Sequence, residues 1–228
     1  PGYPGEQTHA DQMVSSHPGL IPQPKGRLTR ARYVGATVFV DEASDFTYCH
    51  LMRDLSDEET LEAKHSYEHL MKTKDVTVKR YHCDNGAFAN SKYREDGKLP
   101  GQEITFCGVG AHHQNGIVER RIKDLTESAR TLLAHGMRMF PEAVKPILWP
   151  FALKAAERTR NTLRIDVNGL TPEERVTRTT IRRDVRHEHT LFCPVYVLDH
   201  RLQGSVKGVP KWEPRSRLGI YLGMSPEH

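Results

Sequence analysis

The sequence predicts an α/β fold: a mixed five-stranded sheet flanked by helices, followed by the start of a small β module. Strand-like runs of β-branched and apolar residues fall early, at 7–14, 33–40, 46–52, 75–83 and 103–107. A stripe at helical spacing, Val118, Ile122, Leu125, Ala129 and Leu132, comes next. Strand patterning returns at 195–198 and 218–222 after a polar, Arg-rich stretch. With 228 residues the chain has room for one substantial core and a small appended module. The expected division is a core over 1–165, a basic connector over 166–188, and a β module over 189–228 of which the chain carries at least the start.

Each element has a local reason. Residues 7–14 alternate weakly and read as a short strand carrying Asp11; the Pro/Gly-rich stretch 17–26 reads as a connector. The runs 33–40 and 46–52 flank the turn cluster Asp41-Glu42-Ala43-Ser44-Asp45, which makes them a hairpin. Ser56-Asp57-Glu58-Glu59 has the form of a capping box, in which the serine oxygen and a carboxylate three residues on satisfy free amides. It opens a helix over 57–72 with Leu61, Tyr67, Leu70 and Met71 facing inward. The strand over 75–83 ends at Asp84-Asn85-Gly86, a strong turn signal. Gly108-Val109-Gly110-Ala111 predicts a mobile segment before the next helix, which Asn115 is placed to cap. Beside that helix's apolar stripe run Glu119, Lys123, Thr126 and Arg130, so Glu119 need not point into the core. A further helix is expected over 149–163, with Pro150 in its first turn and Trp149 in the core. Residues 171–189 read as a linker or a short helix.

Composition narrows the class. Lys and Arg number 33 against 29 Asp and Glu, with 13 His, a mild basic excess that permits nucleic-acid binding without demanding it. Four scattered cysteines, no C-x-x-C, and no signal-peptide or membrane-length apolar run point to a soluble intracellular protein with reduced thiols and no membrane partner. The chain starts at Pro1 without an initiator Met and ends within β patterning, so a segment of a longer polyprotein is expected.

Asp84 closes a strand and Glu119 sits one turn inside a helix, with 34 residues between them. Phosphodiester transfer needs an activated oxygen nucleophile and charge neutralisation on the leaving oxygen, which two Mg²⁺ or Mn²⁺ ions about 4 Å apart can supply. Hard cations take carboxylate oxygens, so the site needs several acids on rigid supports. The candidates for a third are Asp11, Asp41 and Asp45. In an antiparallel meander Asp41 would lie at the far end of its strand, whereas Asp11, on a strand parallel to the fourth, would lie beside Asp84; Asp41 and Asp45 then read as hairpin caps. Each acid also has an ordinary reading: Asp84 as a turn former and Glu119 as an i,i+4 partner of Lys123, worth a few tenths of a kcal/mol.

Asp11, Asp84-Asn85-Gly86 and Gln114-Asn115-Gly116-Ile117-Val118-Glu119-Arg120 together resemble the three acidic motifs of the D,D,E integrase catalytic core. The match is closest to integrases of Ty1/copia-type LTR retrotransposons, and through them to retroviral integrases. It continues through Ala129-Arg130-Thr131-Leu132-Leu133, Trp149, Ala152, Asn161 and Thr171-Pro172-Glu173 to Phe192-Cys193-Pro194-Val195-Tyr196-Val197. The resemblance implies an RNase H-like core followed by an SH3-like module. It implies two reactions: hydrolytic trimming of the 3′ ends of the element's cDNA, and transfer of those ends into target DNA. Asp11, Asp84 and Glu119 would hold two Mg²⁺ or Mn²⁺ ions, with no covalent enzyme intermediate. It further implies cDNA ends and target DNA as partners, a homo-oligomer (dimer or tetramer), and residence in a cytoplasmic particle and then the nucleus.

Asn115, Arg120, Lys123 and Arg130 are the candidate DNA contacts, and Arg121 belongs to the same basic run. Arg175, Arg178, Arg182, Arg183 and Arg186 either grip phosphates or keep a linker soluble. Three features depart from the family pattern: the Asp84 to Glu119 count is one residue short, Ala87-Phe88 replaces the usual Glu-Phe, and Gly110-Ala111-His112-His113 replaces the usual Pro and Tyr. Zinc is disfavoured, because adjacent His112 and His113 cannot easily converge on one ion and the spacing to His82 and Cys83 fits no finger. The family's zinc-binding N-terminal domain would precede Pro1. The rival readings are a D,D,E transposase or RNase H-like nuclease, and a decayed copy that binds DNA without cutting it.

Overall fold

The computed structural model describes residues 2–22, 29–98, 101–108, 115–181, 189–199, 202 and 210–224. Its main sheet has the order β3-β2-β1-β4-β5, built from β1 (Thr8–Leu20), β2 (Arg32–Asp41), β3 (Thr47–Met52), β4 (Arg80–Cys83) and β5 (Glu103–Phe106). The first three strands form an antiparallel meander, while β1 pairs parallel with β4 and β4 parallel with β5.

Strand alternation sorts the core into two layers. On β2, Ala36, Val38 and Val40 join one cluster and Phe39 the other, as the two-residue period of a pleated strand requires. The first cluster is closed by α3 (Gly116–Met139) and α4 (Trp149–Leu163), through Val118, Leu125, Trp149 and Leu153. The second is closed by α1 (Asp57–Thr73), whose Ala63, Tyr67 and Met71 pack with Ala10, Phe39 and Tyr81. Helices on both faces are why β2 reads as an unbroken apolar run.

Several elements differ from expectation. Strand β1 extends to Leu20 through Pro18-Gly19, its register with β2 shifting between Val14 and Gly19. A bulge lets a strand absorb a proline. Gly19 is needed for contact: a Cβ there would stand 2.6 Å from Pro150 and 2.8 Å from Trp149, whose Nε1 donates to the His17 carbonyl at 2.9 Å. The rest of the expected connector, 23–26, lies outside the described residues. Residues 75–79 are not part of β4; Val76 and Val78 alternate because they are buried, not because they pair.

Ser56 does cap α1, accepting from the Glu59 amide, but the Glu59 carboxylate accepts from the Arg53 amide instead of completing the box. Leu61 and Leu70 are half-buried, and Ala63 and Lys64 take the inner face with Tyr67 and Met71. Lys64 is fully buried and pairs with Asp96 at 2.5 Å and Glu68 at 3.0 Å. Asp96 lies on α2 (Ser91–Lys98), a helix that no apolar stripe in the sequence marks; its Tyr93 amide donates to Asn90.

After α4, the short α5 (Pro172–Thr177) carries a complete capping box between Thr171 and Glu174. Arg182, Arg183 and Arg186 lie outside the described residues. β6 (Pro194–Leu198) and β7 (Ser216–Ile220) form an antiparallel pair. Just before β6, Leu191 and Phe192 enter the α3–α4 core, where Phe192 occupies space that a Cβ on Gly136 would fill. Among the described residues no helix is long and apolar enough to cross a membrane.

Candidate functional site

Strands β1 and β4 run parallel with Ala10 opposite Cys83. Both of those side chains are fully buried in the α1 layer. The residues that follow, Asp11 on β1 and Asp84 just past the end of β4, are each half-buried, and strand alternation turns them toward the α3 face of the sheet. Neighbouring strands lie about 4.8 Å apart. The ladder continues to the third strand, where the Cys107 amide donates to the Cys83 carbonyl at 3.1 Å. Asp11, Asp84 and Cys107 thus form one row across β1, β4 and β5. One pleat back lies a second row, His9, His82 and Thr105, with His82 Nδ1 2.9 Å from Thr105 Oγ1 and Nε2 3.5 Å from Cys107 Sγ.

Glu119 arrives from above. Asn115, at the N-cap position of α3, is buried, and its Nδ2 donates to the Ala10 carbonyl at 3.2 Å. Its side chain makes no capping bond, so the predicted cap is instead a tether from α3 to the strand residue preceding Asp11. Glu119 lies four residues on, one helical turn along the same face, and is exposed. No ion pair joins it to Lys123 among the described residues. The Cys107 thiol reports on all three acids. Burial first, then the charges of Asp84, Asp11 and Glu119, push its pKa up from the ordinary thiol value. Among the described residues no three His, Cys, Asp or Glu side chains stand close enough to hold one metal ion.

The remaining candidates separate cleanly. Asp84 also forms its turn, accepting from the Gly86 amide at 3.3 Å. Asp41 is fully buried opposite Thr8, three residues, or about 10 Å, from Asp11's position along β1. Its carboxylate accepts from the Gly5 amide, the Ser44 amide and the Ser44 hydroxyl. Asp45 binds Arg121 and Arg160. Arg120, Lys123 and Arg130 are exposed on α3, with Lys123 and Arg130 on the Glu119 stripe. Arg121 is not part of that solvated face: it is 4% exposed and turned inward. Gln114 and the altered loop residues Gly110 to His113 lie outside the described residues. Arg175 is committed to the Ala43 carbonyl and Asp166. Sequence reasoning missed Cys107 and His82 as neighbours of the acids; the two-residue period of β4 and β5, carried across parallel strands, contained that signal.

A mixed five-stranded sheet of this order flanked by helices is the RNase H-like fold of retroviral integrase catalytic cores. The particular structures it is similar to are these. The magnesium complex of the HTLV-2 integrase catalytic core, trimeric form, matches with TM-score 0.54 and 18% identity, covering 77% of this chain and 99% of that one. The simian T-cell lymphotropic virus intasome in complex with PP2A regulatory subunit B56 gamma matches with TM-score 0.59 and 15% identity, covering 96% and 68%. The catalytic core of BIV integrase matches with TM-score 0.51 and 19% identity, covering 75% and 92%. No protein-family model matches the sequence, and no curated protein does.

Proposed function

We propose that this chain carries the catalytic core of a DNA integrase, a metal-dependent polynucleotidyl transferase of a Ty1/copia-type retrotransposon. One observation carries the reading: Asp11 and Asp84 follow the in-register pair Ala10 and Cys83 of parallel strands, and Asn115 tethers the start of the Glu119 helix to the first of them. The fold it shares with integrase cores supports it.

The donor set suits a hard divalent cation, since all three candidates offer carboxylate oxygens and a hard cation prefers them. Asp11, Asp84 and Glu119 would hold Mg²⁺ or Mn²⁺, two ions in the full site. When bound, the ions supply charge neutralisation at the phosphodiester and activation of the attacking oxygen, from water in end trimming and from a DNA 3′-hydroxyl in transfer. The chain's own groups prepare the place. Asn115 holds the start of α3 against β1. Cys107, kept protonated by burial and by its acidic neighbours, adds no fourth negative charge to the row. Lys123 and Arg130 extend the Glu119 stripe with cations suited to DNA phosphates, and Arg120 lies beside it. Asn115 would serve DNA through the turn it anchors.

The wider reading has residues 1–165 as the core, 166–188 as a basic connector and 189–228 as an SH3-like module. Its partners are element cDNA ends and target DNA, acted on by a dimer or tetramer, in a cytoplasmic particle and later the nucleus. The solved relatives include dimeric and trimeric core forms and an intasome, which supports assembly as the working state. The test is strand transfer of a supplied blunt cDNA end by the full-length protein with Mg²⁺ or Mn²⁺, beside Asp84→Asn and Glu119→Gln. Loss in both variants is expected. Activity surviving both would remove the assigned site, and excision of a flanked element in place of integration would mark a transposase.

A further inference from the structure

Glu119 and Arg121 are two residues apart on α3, about 200° around the helix, so they serve opposite sides. On the far side Arg121 reaches the β2–β3 turn. One guanidinium nitrogen donates to the Asp45 carbonyl at 3.1 Å and to Thr47 Oγ1, and the other pairs with the Asp45 carboxylate. The second Asp45 oxygen accepts from Arg160 of α4 at 3.1 Å, and Arg160 turns back to Asp124 of α3 at 3.4 Å. The ring closes: turn, α4 and α3 are joined through two arginines and two aspartates. Asp45 holds its place at φ 63°, a left-handed conformation that a non-glycine residue adopts only when its surroundings require it. Thr47 is itself clamped, its amide donating to Asn161 Oδ1 at 3.0 Å and its carbonyl accepting from Asn161 Nδ2 at 2.7 Å.

Glu119 therefore lies between two anchors. Asn115, one turn before it, is tied to Ala10 on β1. Arg121, half a turn after it, is tied to the turn between β2 and β3. Two fixed points on opposite sides of one short stretch determine both the rotation of the helix and its height above the sheet. These are the two quantities that decide how far the Glu119 carboxylate reaches toward Asp11 and Asp84.

We propose that Arg121 and Asp45 are positioning residues, whose ion pair sets the rotation and height of the α3 turn that presents Glu119 to the metal-binding acids. This rests on the assignment of Asp11, Asp84 and Glu119 as metal ligands. The pair bonds to none of the three acids; it acts through the helix.

The experiment is a double-mutant cycle on Mn²⁺ binding by the full chain, read by titration calorimetry, with melting recorded for each protein. Arg121→Met keeps the apolar stem and removes the fork, and Asp45→Asn keeps shape and tolerates the left-handed backbone. Each should weaken Mn²⁺ binding by about tenfold, the lower end of the range for groups that orient a ligand from behind. In a Glu119→Gln background the same changes should alter binding by less than about twofold, because the residue they position is already gone. Equal losses in both backgrounds, or no loss in the first, overturn the proposal. If either single variant fails to fold, the Arg121→Met/Asp45→Asn pair, which leaves neither charge without its partner, replaces it under the same criteria. Asp84→Asn separates the two failures. If it binds Mn²⁺ as the starting protein does, the ligand assignment falls and the positioning role with it; if it loses binding while Arg121→Met does not, the positioning role alone is wrong.

Discussion

Asp41→Ala should destabilise the protein and leave Mn²⁺ binding unchanged, the reverse of Asp11→Asn. The Asp41 carboxylate is fully buried and accepts from the Gly5 and Ser44 amides, at 2.7 and 2.8 Å, and from the Ser44 hydroxyl at 2.6 Å. Truncation leaves two buried amide donors without an acceptor, each worth about 1–3 kcal/mol, for a total of roughly 2–6 kcal/mol. The Ser44 hydroxyl can rotate to another partner and adds little. Burial raises the Asp41 pKa, outweighing the hydrogen bonds from Ser44 and Gly5 that lower it. The folded state therefore holds this proton more tightly than the unfolded chain. Asp41 contributes most to stability at low pH, and the contribution declines as pH rises from the unfolded carboxylate value through the folded one. Urea unfolding of the variant and the starting protein across pH 3–8, alongside Mn²⁺ titration at neutral pH, reads both effects. A loss below about 1 kcal/mol would refute the hydrogen-bond accounting. A fall in Mn²⁺ affinity in protein that remains folded would restore Asp41 as a ligand and overturn the assignment of Asp11.

Gly19→Ala should cost about 1–3 kcal/mol in chemical denaturation, because the new methyl collides with Trp149 and Pro150 and neither is a flexible chain end. Asp96→Ala should destabilise by about 3 kcal/mol, the low end for breaking a buried pair, since Glu68 remains beside Lys64. Burial opposes it, but hydrogen bonds from Lys64 and His65 hold Asp96 below the usual carboxylate range. That stability is present above the unfolded pKa and lost as pH falls, so acid unfolding of Asp96→Ala should begin from a flatter baseline than that of the starting protein. Asp84→Asn should speed alkylation of Cys107 at pH 8, measured by mass spectrometry against Cys193 in the same chain, because a neighbouring charge that raises the thiol pKa is removed.

The meander, the two long helices and the parallel pairing of the Asp11 strand with the strand that ends before Asp84 were legible because they follow from periodicity and from one topological step. The unbroken apolar run of β2 and the stripe of α3 declare their burial directly. What escaped reading was decided by contacts between distant residues. Pro18-Gly19 has every local mark of a connector, and is held as strand by the indole of Trp149, which lies 132 residues after His17 and donates to its carbonyl. The polar α2 is held by Tyr93 and by the pairing of Asp96 with a lysine on another helix, neither of which periodicity records. Arg121 is one of two adjacent arginines with nothing local to mark it, yet it is the one committed to Asp45. Asn115 has the composition of a cap and spends its side chain on a neighbouring strand.

The parallel pairing of β1 with β4 joins segments about 70 residues apart in the chain. Closing so long a loop is among the slower and less favourable events of folding, since its entropy must be overcome before any contact repays it. Asp11 and Asp84 become neighbours only at that closure, and an isolated first hairpin, however well formed, brings no two of the three acids together. If Asp11 and Asp84 hold a metal as proposed, its affinity would be a late signal of folding, available from the assembled sheet and withheld from every intermediate that has not yet joined its halves.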